Sequence, residues 1–159
     1  MTEVHIRGAE LDDAASIAAH IKTMNSADEV RSQIELLLER RADGWQHLVA
    51  IDRGTVVGNV VIMPTRHFPQ GQPHRAELAD IVIAPSHQGS GLLGELIEAA
   101  VEQAKAMGVT QLETSAWASN PRACAAYTKV GFREWGRLPA ARRNPDGIED
   151  ELVCLYRPV

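Results

Sequence analysis

The chain has 159 residues, 45% of them apolar and 23% charged, an ordinary balance for a globular protein, and its length suits one compact domain spanning 1–159 with a real core. Sixteen basic against 21 acidic side chains leave a formal net charge of -5, which argues against a nucleic-acid partner, because holding phosphate backbones requires a basic face. MTEVHIRGAELDD is charged from the start, no apolar run can span a bilayer, and Cys124 and Cys154 are the two thiols; the expectation is a cytoplasmic protein with no membrane partner and no disulfide framework.

VHIRGA reads as a short strand, with Val4 and Ile6 alternating with polar neighbours. LDDAASIAAHIKTMN follows as a helix that Asp12 or Asp13 can cap, with Ile17, Ile21 and Met24 on one face. DEVRSQIELLLERR is a second helix; Val30, Ile34, Leu37 and Leu38 form its apolar side, and its acidic start and basic end suit the macrodipole. HLVAIDRGTVVGNVVIMP is a hairpin turning at Asp52-Arg53-Gly54, and TRHFPQGQPHR is a loop. AELADIVIA is the next strand, and GLLGELIEAAVEQAKAM is the longest helix, ended by Gly108. VTQLETSAW is a strand, NPRACAAYTKV a helix stopped by Gly131, and GFREWGRL and DELVCLYRP are two strands around the loop PAARRNPDGIE. Trp45, Trp117 and Trp135 are expected to pack, with Trp117 also placed to line a pocket. The order βααβββαβαββ predicts a mixed α/β or α+β fold.

The stretch IVIAPSHQGSGLLGELIEAA places a strand, a glycine-rich turn and a helix start in succession. That arrangement makes an anion site, since the first amides of a helix lack partners and carry a partial positive charge. Gly89, Gly91 and Gly94 spell G-x-G-x-x-G, with Glu113 about 20 residues on, as in a dinucleotide fingerprint. Context counts against that reading: residues 84–88 separate the strand from Gly89, and after Glu113 too few elements remain for a doubly wound sheet.

Gln88-Gly89-Ser90-Gly91-Leu92 resembles instead the Gln/Arg-x-x-Gly-x-Gly/Ala loop of the GNAT acyltransferases, the GCN5-related N-acetyltransferases. Ile81-Val82-Ile83 before Ala84-Pro85 is similar to their preceding strand, and Asn120-Pro121-Arg122-Ala123 through Tyr127 to Gly131-Phe132 to their N-x-x-A…Y-x-x-x-G-F segment. Leu93 departs from the pattern, standing where the family usually has Gly or Ala, with Gly94 one place later. The resemblance implies a mixed, mostly antiparallel sheet of about seven strands flanked by about four helices. It also implies acetyl-CoA as co-substrate without a metal, a primary amine on a small molecule or peptide as acceptor, direct transfer in a ternary complex, and a homodimer as in many family members.

By the same resemblance, Gln88, Gly89, Ser90, Gly91, Leu92, Leu93 and Gly94 would hold the pyrophosphate. Ile81, Val82 and Ile83 would pair with the pantetheine arm as an added strand, in a slot where two strands splay. An amide near Val82 would polarise the thioester oxygen. Tyr127, seven residues after Asn120 and so on a similar side of its helix, would donate a proton to the departing thiolate; its alternative role is packing. Asn120 caps its helix, contacts the CoA arm, or both. Glu77 matches the general base of the histone-acetylating branch; the alternatives are a pair with Arg75 or Arg7, a base at Asp80 or Glu113, or a water chain. Strand alternation would place Glu77, Ala79, Ile81 and Ile83 on one face. His67 and His74 share a loop without an obvious third metal ligand, and no base is visible to activate Cys124. Two further readings are a CoA-binding module without catalysis and a nicotinamide-binding protein.

Overall fold

The computed structural model describes residues 4–65 and 72–159; His67 of the histidine pair lies outside them, and His74 is exposed. Strand β1 (His5–Gly8) leads through a short 3-10 turn (Leu11–Asp13) into helix α1 (Ala14–His20), then α2 (Ala27–Glu39). Strands β2 (Gln46–Asp52), β3 (Thr55–Pro64) and β4 (Arg75–Ile83) follow, then α3 (Leu92–Ala106), β5 (Gln111–Trp117), α4 (Pro121–Lys129), β6 (Arg133–Arg143) and β7 (Glu149–Pro158). The strands form one sheet in the order β1-β2-β3-β4-β5-β7-β6. Neighbours are antiparallel except β4 and β5, which the α3 crossover makes parallel. No helix among the described residues is long and apolar enough to cross a membrane.

Local chemistry sets the ends of these elements. Ser26 Oγ accepts the Glu29 amide while the Glu29 carboxylate accepts the Ser26 amide, a capping box that starts α2 at Ala27, one residue before the expected acidic pair. Asp13 accepts the Glu10 amide at 2.8 Å and both Arg7 Nη atoms at 2.8 and 2.9 Å, closing the turn before α1. Helix α1 stops at His20, so Met24 does not share its face and is 96% exposed. Strand β6 runs on to Arg143 rather than ending near Leu138, because a bulge at Pro139, Ala140 and Ala141, with Ala140 at φ +50°, absorbs the register change. Trp135 on this edge strand is 59% exposed and does not pack as expected.

The sheet is covered on both faces. Helix α3 buries Leu92, Leu96, Ile97, Ala100, Val101 and Ala104 against one face, where Tyr127 and Phe132 join them. Helices α1 and α2 bury Ile17, Val30 and Ile34 against Val49 and Val56 on the other. Gly58 lies under α3: a Cβ there would stand 3.2 Å from Ala50 Cβ and Ile83 Cδ1 and 3.4 Å from Leu96 Cδ2.

Strand β4 contains a bulge that overturns the simple alternation. Asn59 pairs with Val82 but Val61 with Ala79, so Asp80 and Ile81 together oppose Val60. Asp80 sits there at φ +53°. Ala76 and Leu78 face the α3 core before the bulge, and Ile81 and Ile83 pack against it afterwards. Glu77 is therefore on the opposite face from Ile81 and Ile83. A buried polar group adjoins the bulge: Asn59 Nδ2 donates to the Asp80 carbonyl at 2.7 Å, and Asn59 Oδ1 meets His47 Nε2. Because that carbonyl only accepts, the amide orientation is fixed and His47 must carry its proton on Nε2. Its Nδ1 is buried without a partner among the described residues, at a cost of about 1–3 kcal/mol.

Two outcomes test this account. Leu96→Ala should lower unfolding stability by about 2–5 kcal/mol in urea titrations, since Leu96 is fully buried. Burial, opposed by the Asn59 hydrogen bond, pushes the His47 pKa below its ordinary 6.5. The unfolded chain then binds more protons, so this contribution is complete above pH 6.5 and is lost as pH falls through the lowered folded value. Thermal melts should show the midpoint falling as pH drops from about 7 to about 5, with a shallower slope in His47→Gln.

Candidate active site

A cleft of about 810 Å3 opens between the distal half of β4, the start of α3 and one side of α4. Its origin is a fork in the sheet. Strands β4 and β5 pair at Arg75–Gln111, Ala76–Leu112 and Glu77–Glu113, and Thr114 Oγ1 donates to the Leu78 carbonyl at 3.1 Å as the last bridge. Beyond it β4 stays with β3, and β5 stays with β7 as far as Trp117. The Leu78 carbonyl thus faces β5, whereas the Ala84 amide donates to Val57 O on β3 at 2.9 Å. Strand alternation from these two ends directs the backbone of Ile81 and Ile83 into the gap and that of Val82 toward β3.

The glycine loop closes one end. A 3-10 turn (Pro85–His87) precedes it, Gln88 Nε2 ties it to the Ile83 carbonyl at 3.2 Å, and the Ser90 hydroxyl donates to His87 O at 2.6 Å. Gly89 and Gly91 have φ +77° and +91°, and Gly91 is the residue from which α3 starts. A Cβ at either would meet nothing within 4 Å, so the left-handed torsion, not crowding, calls for glycine. The Leu92 amide donates to Ser90 Oγ at 3.4 Å. The amides of Gly89, Gly91, Leu93 and Gly94 have no acceptor among the described residues. Four donors at a helix N-terminus suit a diphosphate.

Helix α4 forms the far wall. Asn120 Oδ1 accepts the Ala123 amide at 3.2 Å, and Pro121 opens the helix. Tyr127, two turns on, is 9% exposed and lies edge-on to Phe132 with ring centroids 6.1 Å apart. Burial, then the neighbouring Cys124, raises its pKa above 10.0, so the phenol stays protonated at neutral pH. Its hydroxyl has no hydrogen-bond partner among the described residues, and the side chain lines the cleft.

Of the sequence-predicted donor residues, Ile81, Ile83, Gln88, Gly89, Gly91, Leu93, Gly94, Asn120 and Tyr127 all line this cleft. Leu92, the first residue of α3, is buried in the core and does not line the cleft, while Val82 and Ser90 belong to the same strand and loop without lining it. Sequence reasoning missed three basic groups on the rim, His87, Arg122 and Lys129. Arg122 and Lys129 repeat the seven-residue spacing of Asn120 and Tyr127, a usable sign. His87 gave none, because its partner is distant: its Nε2 lies 3.1 Å from Asp52 Oδ2 in the β2–β3 turn.

The opposite face of the fork is rich in carboxylates. Glu77 and Glu113 stand side by side at the last paired position. Arg75 holds Glu113 through bonds of 2.6 and 3.0 Å, and Lys22 holds Asp80 at 2.6 Å. Arg7, the other arginine considered for Glu77, bonds Asp13. Burial, then the charges of Glu77 and Glu113, pushes the Cys154 thiol above its ordinary pKa, which disfavours the nucleophilic thiolate. The Arg142 guanidinium stacks over Trp117, 4.1 Å from the ring centroid.

Comparison with known proteins agrees with this geometry. The acetyltransferase (GNAT) family profile matches residues 12–132. An L-2,4-diaminobutyric acid acetyltransferase from Nocardia farcinica is 27% identical over 133 residues, 84% of this chain and 66% of that protein, so the match spans slightly less than two thirds of its length. The crystal structure of a ribosomal-protein-alanine N-acetyltransferase from Brucella melitensis superposes with a TM-score of 0.82 at 25% identity, covering 98% of this chain and 99% of the other. A GNAT-superfamily phosphinothricin acetyltransferase from Sinorhizobium meliloti, solved in complex with AcCoA, shares the fold with a TM-score of 0.83 at 22% identity, covering 100% and 89%. The forked sheet, the open amides at the start of α3 and the profile match together make this chain a member of the acetyltransferase (GNAT) family.

Proposed function

We propose that this protein transfers an acetyl group from acetyl-CoA to a primary amine by direct attack in a ternary complex. The observation that carries the reading is the row of unpartnered amides at Gly89, Gly91, Leu93 and Gly94, in one cleft with Tyr127 and the exposed edge of β4. The amides and the cationic side chains of Arg122 and Lys129 complement the phosphates of CoA. Ile81 and Ile83 offer backbone groups to the pantetheine amides, and Asn120 can reach the same arm while capping α4. Leu93 contributes its amide as the family's glycine or alanine would; its side chain adds apolar surface to the wall.

Bound acetyl-CoA supplies a thioester, an acyl group activated toward nitrogen. A β4 amide turned into the gap, that of Ile81 by alternation, polarises the carbonyl oxygen. Tyr127, kept neutral by burial, gives its proton to the sulfur as the bond to carbon breaks. Glu77, at the branch of the fork on the face away from α3, takes one proton from the incoming ammonium directly or through a water chain; as the C–N bond replaces the C–S bond, the nitrogen's second proton returns through water to the Tyr127 phenolate. The two substrates then approach from opposite faces and meet where β4 and β5 part. The names of a diaminobutyric acid acetyltransferase and a ribosomal-protein-alanine N-acetyltransferase among similar proteins support a primary amine as the acceptor class.

Isothermal calorimetry should show CoA and acetyl-CoA binding, and absence of heat at millimolar ligand would defeat the proposal. In a thiol-release assay with an amine panel, Tyr127→Phe should lower kcat by about a hundredfold or more while CoA affinity changes less than about threefold. Parallel loss of affinity would return Tyr127 to a packing role.

A further inference from the structure

Asp80 is a non-glycine residue held at φ +53° in the middle of β4. That conformation strains an L side chain and persists only where its surroundings enforce it. The enforcing group is Asn59 of β3, fully buried, whose Nδ2 donates to the Asp80 carbonyl at 2.7 Å. Asn59 is itself fixed from behind by His47 Nε2, and His47 is 7% exposed. From the outer side Lys22, in the link between α1 and α2, holds the Asp80 carboxylate at 2.6 Å and also donates to Gln33 Oε1 at 2.9 Å. The bulge is thus gripped at both its backbone and its side chain.

The bulge decides what the gap contains. Without the extra residue, the alternation set by Ala76 and Leu78 would continue through Asp80 and Val82. Those residues would then present backbone to the gap, and Ile81 and Ile83 would leave the α3 core. We propose that Asn59, oriented by His47, is a positioning residue for the transfer reaction: by holding the Asp80 carbonyl it keeps the bulge in place and aims the Ile81 backbone into the fork. This rests on the acetyltransferase reading above. Asn59 touches neither substrate and acts through Asp80.

Asn59→Asp is the sharpest variant, because it keeps the shape and the acceptor facing His47 but puts an acceptor where Asp80 O needs a donor. With folding checked by circular dichroism and thermal melting, the variant should bind CoA about tenfold or more weakly by calorimetry and show a larger fall in kcat/KM. Paired instead with Asn59→Ala, which leaves no acceptor facing the carbonyl of residue 80, Asp80→Gly should bring CoA affinity back to within about threefold of wild type, because glycine takes a positive φ unaided. A purely structural role for Asn59 would not give that rescue. Long-range 1H–15N spectra of His47 should show the neutral Nε2–H tautomer in the wild type, with Asp13, Lys22 and Asp80 as the charged groups acting on the ring. A folded Asn59→Asp protein with CoA affinity and kcat within about twofold of wild type would overturn the proposal. So would failure of the glycine rescue, or an Nδ1–H tautomer in the wild type. If the wild type binds no CoA at all, the acetyltransferase reading fails, and the tautomer still judges the Asn59 lock separately.

Discussion

Strands β4 and β5 are hydrogen-bonded for three register positions and then part, and the rest of the molecule is arranged around that parting. Two parallel strands joined by a crossover helix would ordinarily continue their ladder, since an unpaired edge inside a sheet wastes backbone groups. Here each strand keeps its outer neighbour and gives up the inner one, β4 remaining with β3 and β5 with β7. The bifurcation lies beside the N-terminus of α3, so unpaired strand edge and unpaired helix amides open into the same space. A ligand carrying both amides and phosphates would satisfy both sets, which is the demand that the fork and the helix start jointly create.

The two faces of the fork differ in chemistry. On the α3 side the wall is apolar with basic groups at its rim, and the tyrosine there is held neutral by burial. On the other side Glu77, Glu113 and Asp80 collect negative charge, part of it compensated by Arg75 and Lys22. In the proposed reaction, a polyanionic donor and a cationic acceptor would therefore be sorted by sign before they meet. The overall charge of -5 says nothing of this division, which exists because a single bulge puts Glu77 and Ile81 on different faces.

Much of the cleft's lining was legible in the sequence because its signals are local. Gly89 and Gly91 mark positive φ values next to a helix start, and Asn120, Pro121 and Tyr127 record a cap and a two-turn spacing within one helix. Element order was readable from apolar periodicity for the same reason. What escaped depends on partners far along the chain. The bulged Asp80 carbonyl is bonded by Asn59, 21 positions away, and nothing about an aspartate in an apolar strand announces a left-handed torsion. His87 is oriented by Asp52, 35 positions away. The bend that lengthens β6 lies at Ala140, a residue that rarely takes positive φ. Short-range sense thus served for caps and turns, whereas alternation failed where tertiary contacts inserted one extra residue.

Gly58 ties the interior of the sheet to the mouth of the cleft. Its missing side chain lets Ile83 and Leu96 settle onto β3, and α3 is a stiff rod whose first turn carries the anion-facing amides. A methyl group at that spot would act as a shim under one end of the rod, tilting its tip while leaving every ligand-contacting residue chemically unchanged. The shape of the cleft is consequently set in part by a hydrogen atom in the dry core, on a residue that does not line it.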